Sequence, residues 1–407
     1  MNLVEVRELL RELVLVRAVD REIKYFESLW EIPEGVTYNS YVLRTSEGYV
    51  LFDTVKYNFA KEYVETLERI VDIEDIRYVV AQHMEPDHSG ALRELSKHRK
   101  FRAVVLGHPL TGKLIKSLLG VDVKFKPVGD GEELRVGDKE LRFIHAPWLH
   151  WPETIFTYVR DLKALMTCDA FGAYSIPDYV VNNPEVLRKN YAVFMRKYFV
   201  NIIGRYRDYV VKALDKITSL NLELSVVAPS HGAVLQGTRV IEEALKLYRD
   251  WAEGKPLENK IVVIYTSMYG YNEEIVKEIL DVLGASGVNL EVFKFTSNHR
   301  DNVSDLLGQL IDAKAVVLVT STYENTVFPL AKYLVNLMIE KANAEKKLYI
   351  VTTYGWSDMA LRELKKMLEG SKFKVIRELS VNSYLTEEDR RKLREISRDI
   401  ISSLAST

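Results

Sequence analysis

Cysteine is almost missing from this 407-residue chain; Cys168 is the only one. A single thiol excludes an intrachain disulfide, a zinc site built on cysteines, a cysteine-ligated iron–sulfur cluster and a fused rubredoxin-like module. An excess of one charge is missing too. A formal net charge of −2 gives no electrostatic case for a nucleic-acid partner. No apolar run reaches the length of a membrane span, and the first seven residues lack the order of a signal peptide, so a cytoplasmic location is expected. Glutamine is confined to Gln82, Gln236 and Gln309 while Lys, Arg, Glu and Tyr abound, a composition that leans toward thermostability.

What is present is 47% apolar residues with charges of both signs, enough for two soluble globular domains. Up to residue 252 the chain reads as short strands and tight turns with few helices. Tyr49–Phe52 and Glu140–Ile144 each follow a glycine-containing turn, and Arg160-Asp161 joins Thr154–Val159 to Lys163–Thr167 as a hairpin would. Apolar spacing at Tyr63, Val64, Leu67 and Ile70 predicts a helix. Two sheets flanked by helices suit this pattern. After the polar linker Gly254-Lys255-Pro256, residues 258–407 alternate strand and helix. Strands are expected at Ile261–Tyr265, Leu290–Phe295, Ala315–Val319, Leu348–Thr352 and Phe373–Ile376, with helices between them. This is a doubly wound α/β domain with a parallel sheet.

The strand Ile76–Ala81 runs into His83-Met84-Glu85-Pro86-Asp87-His88, a ladder of imidazoles and carboxylates suited to metals. His150, Asp169 and His231 lie past further apolar runs, where loop side chains can share a cleft. The set has imidazole and carboxylate donors and no thiolate, which favours iron or manganese over structural zinc. His98, His108, His145 and His299 read as ordinary structural or surface residues.

The ladder resembles the His-x-His-x-Asp-His run of the metallo-β-lactamase fold, with Glu85 in place of the second His. With the segments from Gly35 to Tyr41, His83 to Gly90, Leu149 to Tyr158 and Ser230 to Gly232, the chain resembles the flavodiiron proteins (A-type flavoproteins) over nearly its whole length. The resemblance implies a metallo-β-lactamase-like αββα sandwich over residues 1–252 and a flavodoxin-like domain over 258–407. It implies one iron on His83, Glu85 and His150, a second on Asp87, His88 and His231, and a bridging Asp169.

Three strand-end segments of the second domain resemble that family's FMN loops. They are Thr266-Ser267-Met268-Tyr269-Gly270-Tyr271-Asn272, Thr320-Ser321-Thr322-Tyr323-Glu324-Asn325 and Thr353-Tyr354-Gly355-Trp356. Hydroxyls and amides at a helix start suit a phosphate, and Tyr354 and Trp356 suit a flat ring. The family's usual Gly-Asn-Thr and Ser-Pro-Thr-x-Asn-Asn are altered here, so a hydroxyl is lost and Glu324 stands for an amide.

The expected function is reduction of O2 to water, of NO to N2O, or both, with electrons from FMN to the irons. Tyr198, with Tyr25 and Phe26, is expected to line the gas pocket as a catalytic residue. Family members draw electrons from a rubredoxin, a fused flavin reductase or reduced F420. Here a separate rubredoxin-like protein or reduced F420 is expected, since the chain stops soon after its second domain. Domain radii of ~15 Å favour a head-to-tail homodimer, or a dimer of dimers, that sets the flavin of one chain beside the irons of the other. The rivals are a di-zinc hydrolase, against which Glu85 and the flavin loops argue, and a flavodoxin-like carrier with a vestigial metal site, against which the intact ligand set argues.

Overall fold

The computed structural model describes residues 3–256 and 259–405. Alternating burial drives the chain into two compact units, Met1–Arg249 and Asp250–Thr407.

The first unit holds two seven-stranded sheets. One runs in the order Val4–Leu10, Leu13–Asp20, Val36–Thr45, Gly48–Phe52, Ile76–Ala81, Val104–Gly107, Phe125–Pro127. The other runs Glu133–Val136, Lys139–His145, Ile155–Val159, Ala164–Cys168, Val226–Pro229, Val234–Gln236, Val180–Val181. Leu15, Leu43 and Phe52 of the first sheet meet Phe143, Val159 and Met166 of the second in one buried cluster. That shared apolar face makes the pair a sandwich. The hairpin at residue 160 forms through a 3-10 turn, Arg160–Leu162, closed by Lys163 in left-handed backbone. Helix Ala60–Ile70 buries Tyr63, Val64 and Leu67, the spacing of one helical face.

The second unit is a parallel sheet in the order Asn289–Phe295, Lys260–Thr266, Ala315–Tyr323, Lys346–Thr353, Phe373–Val381. In chain order this is 2-1-3-4-5, whose direction reverses between the first and third strands and leaves a crevice at their C-terminal ends. One difference from the sequence reading lies here. Ala315–Tyr323 extends four residues beyond the expected end at Val319, because Thr322 and Tyr323 pair with Val327 and Thr326. The two residues between, Glu324 (φ 46°) and Asn325 (φ 65°), are both left-handed, the geometry of a type I′ hairpin. Glutamate rarely adopts it, so the sequence carried no hairpin signal. Among the described residues, no helix is long and apolar enough to cross a membrane.

Phe143 is fully buried between the sheets. We expect Phe143→Ala to cost ~3–5 kcal/mol, read as a lower denaturant midpoint for the first unit with the second unit's transition unmoved.

Candidate metal centre and cofactor cavity

Strand pairing delivers the first set of side chains. Ala164–Cys168 pairs in parallel with Val226–Pro229, Cys168 opposite Pro229, so Asp169 and His231 emerge side by side. Cys168 (φ 50°) and Phe171 (φ 69°) are left-handed on either side of Asp169, a strained turn that aims its carboxylate inward. The segment from Thr37 to Tyr41 clamps the His231 loop from the opposite sheet. Asn39 Nδ2 donates to the carbonyls of Pro229 and Gly232, each at 2.9 Å, and Tyr41 Oη donates to Pro229 O at 2.6 Å. Gly232 is left-handed (φ 77°), and a Cβ there would sit 2.2 Å from Tyr191 Oη. Only glycine fits.

The seven residues converge in two groups. His83, Glu85, His150 and Asp169 place one ligand atom each within 4.8 Å of one another, and so do Asp87, His88 and His231. In the first group, Glu85 Oε2 lies 3.3 Å from His83 Nε2 and 2.8 Å from His150 Nε2. Asp169 joins the groups. Its Oδ2 is 3.5 Å from His83 Nε2 and 3.6 Å from His150 Nε2, while its Oδ1 is 3.0 Å from His88 Nε2 and 3.4 Å from His231 Nε2. Asp87 completes the second group at 3.3 Å from both His88 Nε2 and His231 Nε2. All four imidazoles thus present Nε2.

Two further residues set the ring orientation. Glu153, fully buried, accepts from His83 Nδ1 at 2.9 Å and from Met84 N at 3.0 Å. His231 Nδ1 donates to Thr37 O at 2.8 Å. Each contact holds a ring so that the other nitrogen faces inward. Asp53 ties the end of its own strand to the ladder, accepting from Gln82 N at 2.8 Å. None of these three was singled out from sequence. A carboxylate whose role is to orient another ligand has no spacing rule, although Glu153 does lie in the family-like run from Leu149 to Tyr158.

The electrostatics follow from burial against pairing. Burial disfavours the His231 cation, but contacts with Asp169 and Asp87 outweigh it and lift the ring to about 10. Burial also opposes the Asp169 anion, and His88, His231 and His83 outweigh it, holding the carboxyl well below its usual range. Both Asp87 oxygens, Asp169 Oδ2 and His231 Nε2 are buried without a hydrogen-bond partner. Buried lone pairs of N and O donors aimed at shared points fit two cations and leave little other use for the arrangement. Cys168 lies within reach of His88 and Asp169, but burial and the charges of Asp53 and Asp169 keep its thiol protonated.

Tyr198 is fully buried and donates to Asp169 Oδ1 at 2.6 Å. Its hydroxyl is thus held on the carboxylate that joins the two groups. Gly172 makes room for its ring, since a Cβ there would come within 3.1 Å. Phe26 packs 5.6 Å from the His231 ring, whereas Tyr25 is exposed. His98 and His299 pair with Glu68 and Asp301 at the surface, and His108 and His145 pack on each other and belong to neither group.

In the second unit the strand-end segments converge on a cavity of about 330 Å³. Ser267, Met268, Tyr269, Tyr271, Asn272, Ser321, Thr322, Tyr323, Glu324, Thr353, Tyr354, Gly355 and Trp356 line it, as does Ser383, which the sequence reading passed over. Thr266, Gly270, Thr320 and Asn325 do not. Thr266 and Thr320 share a buried hydroxyl contact of 2.7 Å beneath it, and Gly270 (φ 92°) and Asn325 make turns. Asn272 fastens three segments. It donates to Thr266 O at 2.7 Å and Ser321 Oγ at 2.9 Å, and accepts from Thr353 Oγ1 at 2.9 Å. Tyr269 and Trp356 are 83% and 79% exposed, so these rings overhang the cavity mouth. Hydroxyls at the start of helix Tyr271–Gly284, with aromatic walls, suit a phosphorylated planar ligand.

Comparison with known proteins agrees with this geometry. The family model described as ODP family beta lactamase matches residues 36–232. The chain is 30% identical over 395 residues to a nitric oxide reductase of Moorella thermoacetica, covering 96% of each chain. A flavo di-iron protein variant from Thermotoga maritima superimposes with a TM-score of 0.92 at 31% identity, over 99% of this chain and 100% of that one. The rubredoxin oxygen:oxidoreductase of the anaerobe Desulfovibrio gigas does so with a TM-score of 0.90 at 25% identity, over 99% and 100%. The fold and the two sites define a metallo-β-lactamase-like domain joined to a flavodoxin-like one, in an oxidoreductase. This chain belongs to the flavodiiron protein family.

The charge cluster sets a pH dependence in metal-free protein. His231, raised to about 10, stabilises fully below its ordinary 6.5 and loses that contribution as pH rises through about 10. Asp169, depressed, stabilises above its ordinary 3.8 and loses that contribution on acidification. The stability advantage of the parent chain over Asp169→Asn should therefore be largest between pH 3.8 and 6.5 and shrink on both sides. Melts of chelator-treated protein across pH measure this; a flat difference would contradict it.

Proposed function

We propose that this chain reduces O2 to water, NO to N2O, or both, at a di-iron centre supplied with electrons through FMN. The observation that carries the reading is the division of Asp169, one oxygen toward His83 and His150 and the other toward His88 and His231. In this reading His83, Glu85 and His150 hold one iron, Asp87, His88 and His231 hold the other, and Asp169 bridges them. Two ferrous ions and a reduced FMN together supply four electrons, which balances O2 to two waters, and two electrons suffice to couple two NO to N2O.

The chain's own residues do the positioning. Three carboxylates offset most of the charge of two divalent cations and favour the higher oxidation state. Glu153 and the Thr37 carbonyl hold imidazole Nε2 atoms inward, Tyr198 holds the shared carboxylate, and Phe26 keeps bulk water from that side. FMN is assigned to the second unit's cavity, its phosphate against the hydroxyl-bearing Ser267–Asn272 turn and its ring against Tyr354 and Trp356. The names of the relatives, nitric oxide reductase and rubredoxin oxygen:oxidoreductase, support both substrates and a rubredoxin-like donor; reduced F420 is the other donor class in this reading. A head-to-tail homodimer belongs to it too. Exposed Tyr269 and Trp356 rim the cavity assigned to the flavin, and exposed Tyr25 and Leu29 flank Phe26, whose ring packs on His231; these are apolar rims that such a two-fold contact would cover. A di-zinc hydrolase has no use for the second unit's cavity.

Two tests follow. Purified protein should carry about two irons per chain, by two-metal logic, and after anaerobic reduction should consume O2 or NO when assayed side by side. Asp169→Ala should lose both irons' occupancy and both activities, whereas two zincs with hydrolase activity and no gas consumption would reject the reading. The protein should also be yellow and release FMN into acid, and Asn272→Ala, which unfastens three cavity segments, should lower flavin occupancy several-fold at equal FMN. Unchanged occupancy would place the flavin elsewhere.

A further inference from the structure

Three buried phenols stand around the metal cluster; the Tyr38 hydroxyl accepts from Lys56 Nζ at 3.2 Å, and Tyr198 and Tyr174 differ in one respect. The Tyr198 hydroxyl is bound to Asp169 Oδ1. The Tyr174 hydroxyl, equally buried, has no hydrogen-bond partner. Its ring packs 4.9 Å from Tyr198 and 5.3 Å from Phe26, and Phe26 in turn lies 5.6 Å from His231. Tyr174 thus belongs to the aromatic wall of the cluster, in the loop that follows the Asp169 turn. Burial first, and then the charges of Glu27, Asp169, Glu85 and Asp87, keep its hydroxyl protonated. A phenylalanine would fill the same wall without burying an unpaired O–H. A buried donor without a protein acceptor calls for a ligand that accepts.

We propose that the Tyr174 hydroxyl donates a hydrogen bond to the diatomic gas held at the metal centre, as a catalytic residue that biases the site between O2 and NO. The proposal rests on the di-iron reading above. Tyr198 cannot take this role while its proton is shared with Asp169; it is a positioning residue for that carboxylate. A donor fixed in a water-poor site helps most where negative charge accumulates on the substrate. O2 gathers more of it during reduction than NO does, so Tyr174 favours O2.

The test uses the iron- and FMN-loaded holoenzyme with Tyr174→Phe, which keeps the ring volume and its contacts, after its iron and flavin contents are confirmed equal to the parent's. NO is the probe. The infrared N–O stretching band of NO held by the reduced protein is recorded in H2O and D2O. In the parent the band should shift on deuteration. In Tyr174→Phe it should move to higher frequency and lose that shift, while Tyr198→Phe retains the D2O shift. The ratio of O2 to NO turnover should fall in Tyr174→Phe. A band with the parent's frequency and deuterium sensitivity in iron-replete Tyr174→Phe overturns this proposal alone. Parent protein that takes up no iron overturns the di-iron reading and this proposal with it.

Discussion

One buried carboxylate organises the first unit. Asp169 is withdrawn from water at the end of an interior strand, and an anion there is tolerable only if cations or strong donors surround it. His83, His150, His88 and His231 converge on its two oxygens for that reason, with Tyr198 as a fifth donor. Each of those groups needs its own anchor. Glu153 holds His83, the Thr37 carbonyl holds His231, and Asn39 holds the loop that carries His231. The sandwich is the device that brings these anchors together, because Thr37 and Asn39 come from one sheet while Asp169 and His231 come from the other.

The second unit solves a different problem with neutral groups. Its cavity sits where strand order reverses, and its floor is a chain of hydroxyls and one amide. Thr266 bonds Thr320, Ser321 bonds Thr353, and Asn272 ties all three segments. Such a network sets the spacing of the segments. Two carboxylates stand at it: Glu273 accepts from the cavity-lining Ser267 hydroxyl, and Glu324 lines the cavity in the left-handed backbone of the hairpin.

The converging imidazole–carboxylate set was legible because such side chains at strand ends leave a pattern of residue types in sequence order. His83 to His88 is a compact ladder, and His150, Asp169 and His231 each follow an apolar run. The parallel sheet of the second unit was legible for a similar reason, as strands and helices alternate at regular length. The hydroxyl residues Thr266 and Thr320 read as cavity lining but lie below it, since the sequence marks a strand end without saying which face a side chain takes there.

Residue type and order therefore determined the two-domain class, the imidazole–carboxylate cluster and the strand-end loops that converge on the second unit's cavity. Tertiary structure decided which oxygen of Asp169 faces which group, that Glu153 and Thr37 orient the imidazoles, and that the Tyr198 hydroxyl is bonded to Asp169 while that of Tyr174 is buried without a hydrogen-bond partner. The physical reason is that hydrogen bonding and burial depend on distances of a few ångströms between segments far apart in sequence. His83 and Glu153 are separated by 70 residues and His231 and Thr37 by 194. No local pattern encodes such pairs; the closing of two sheets on one core does.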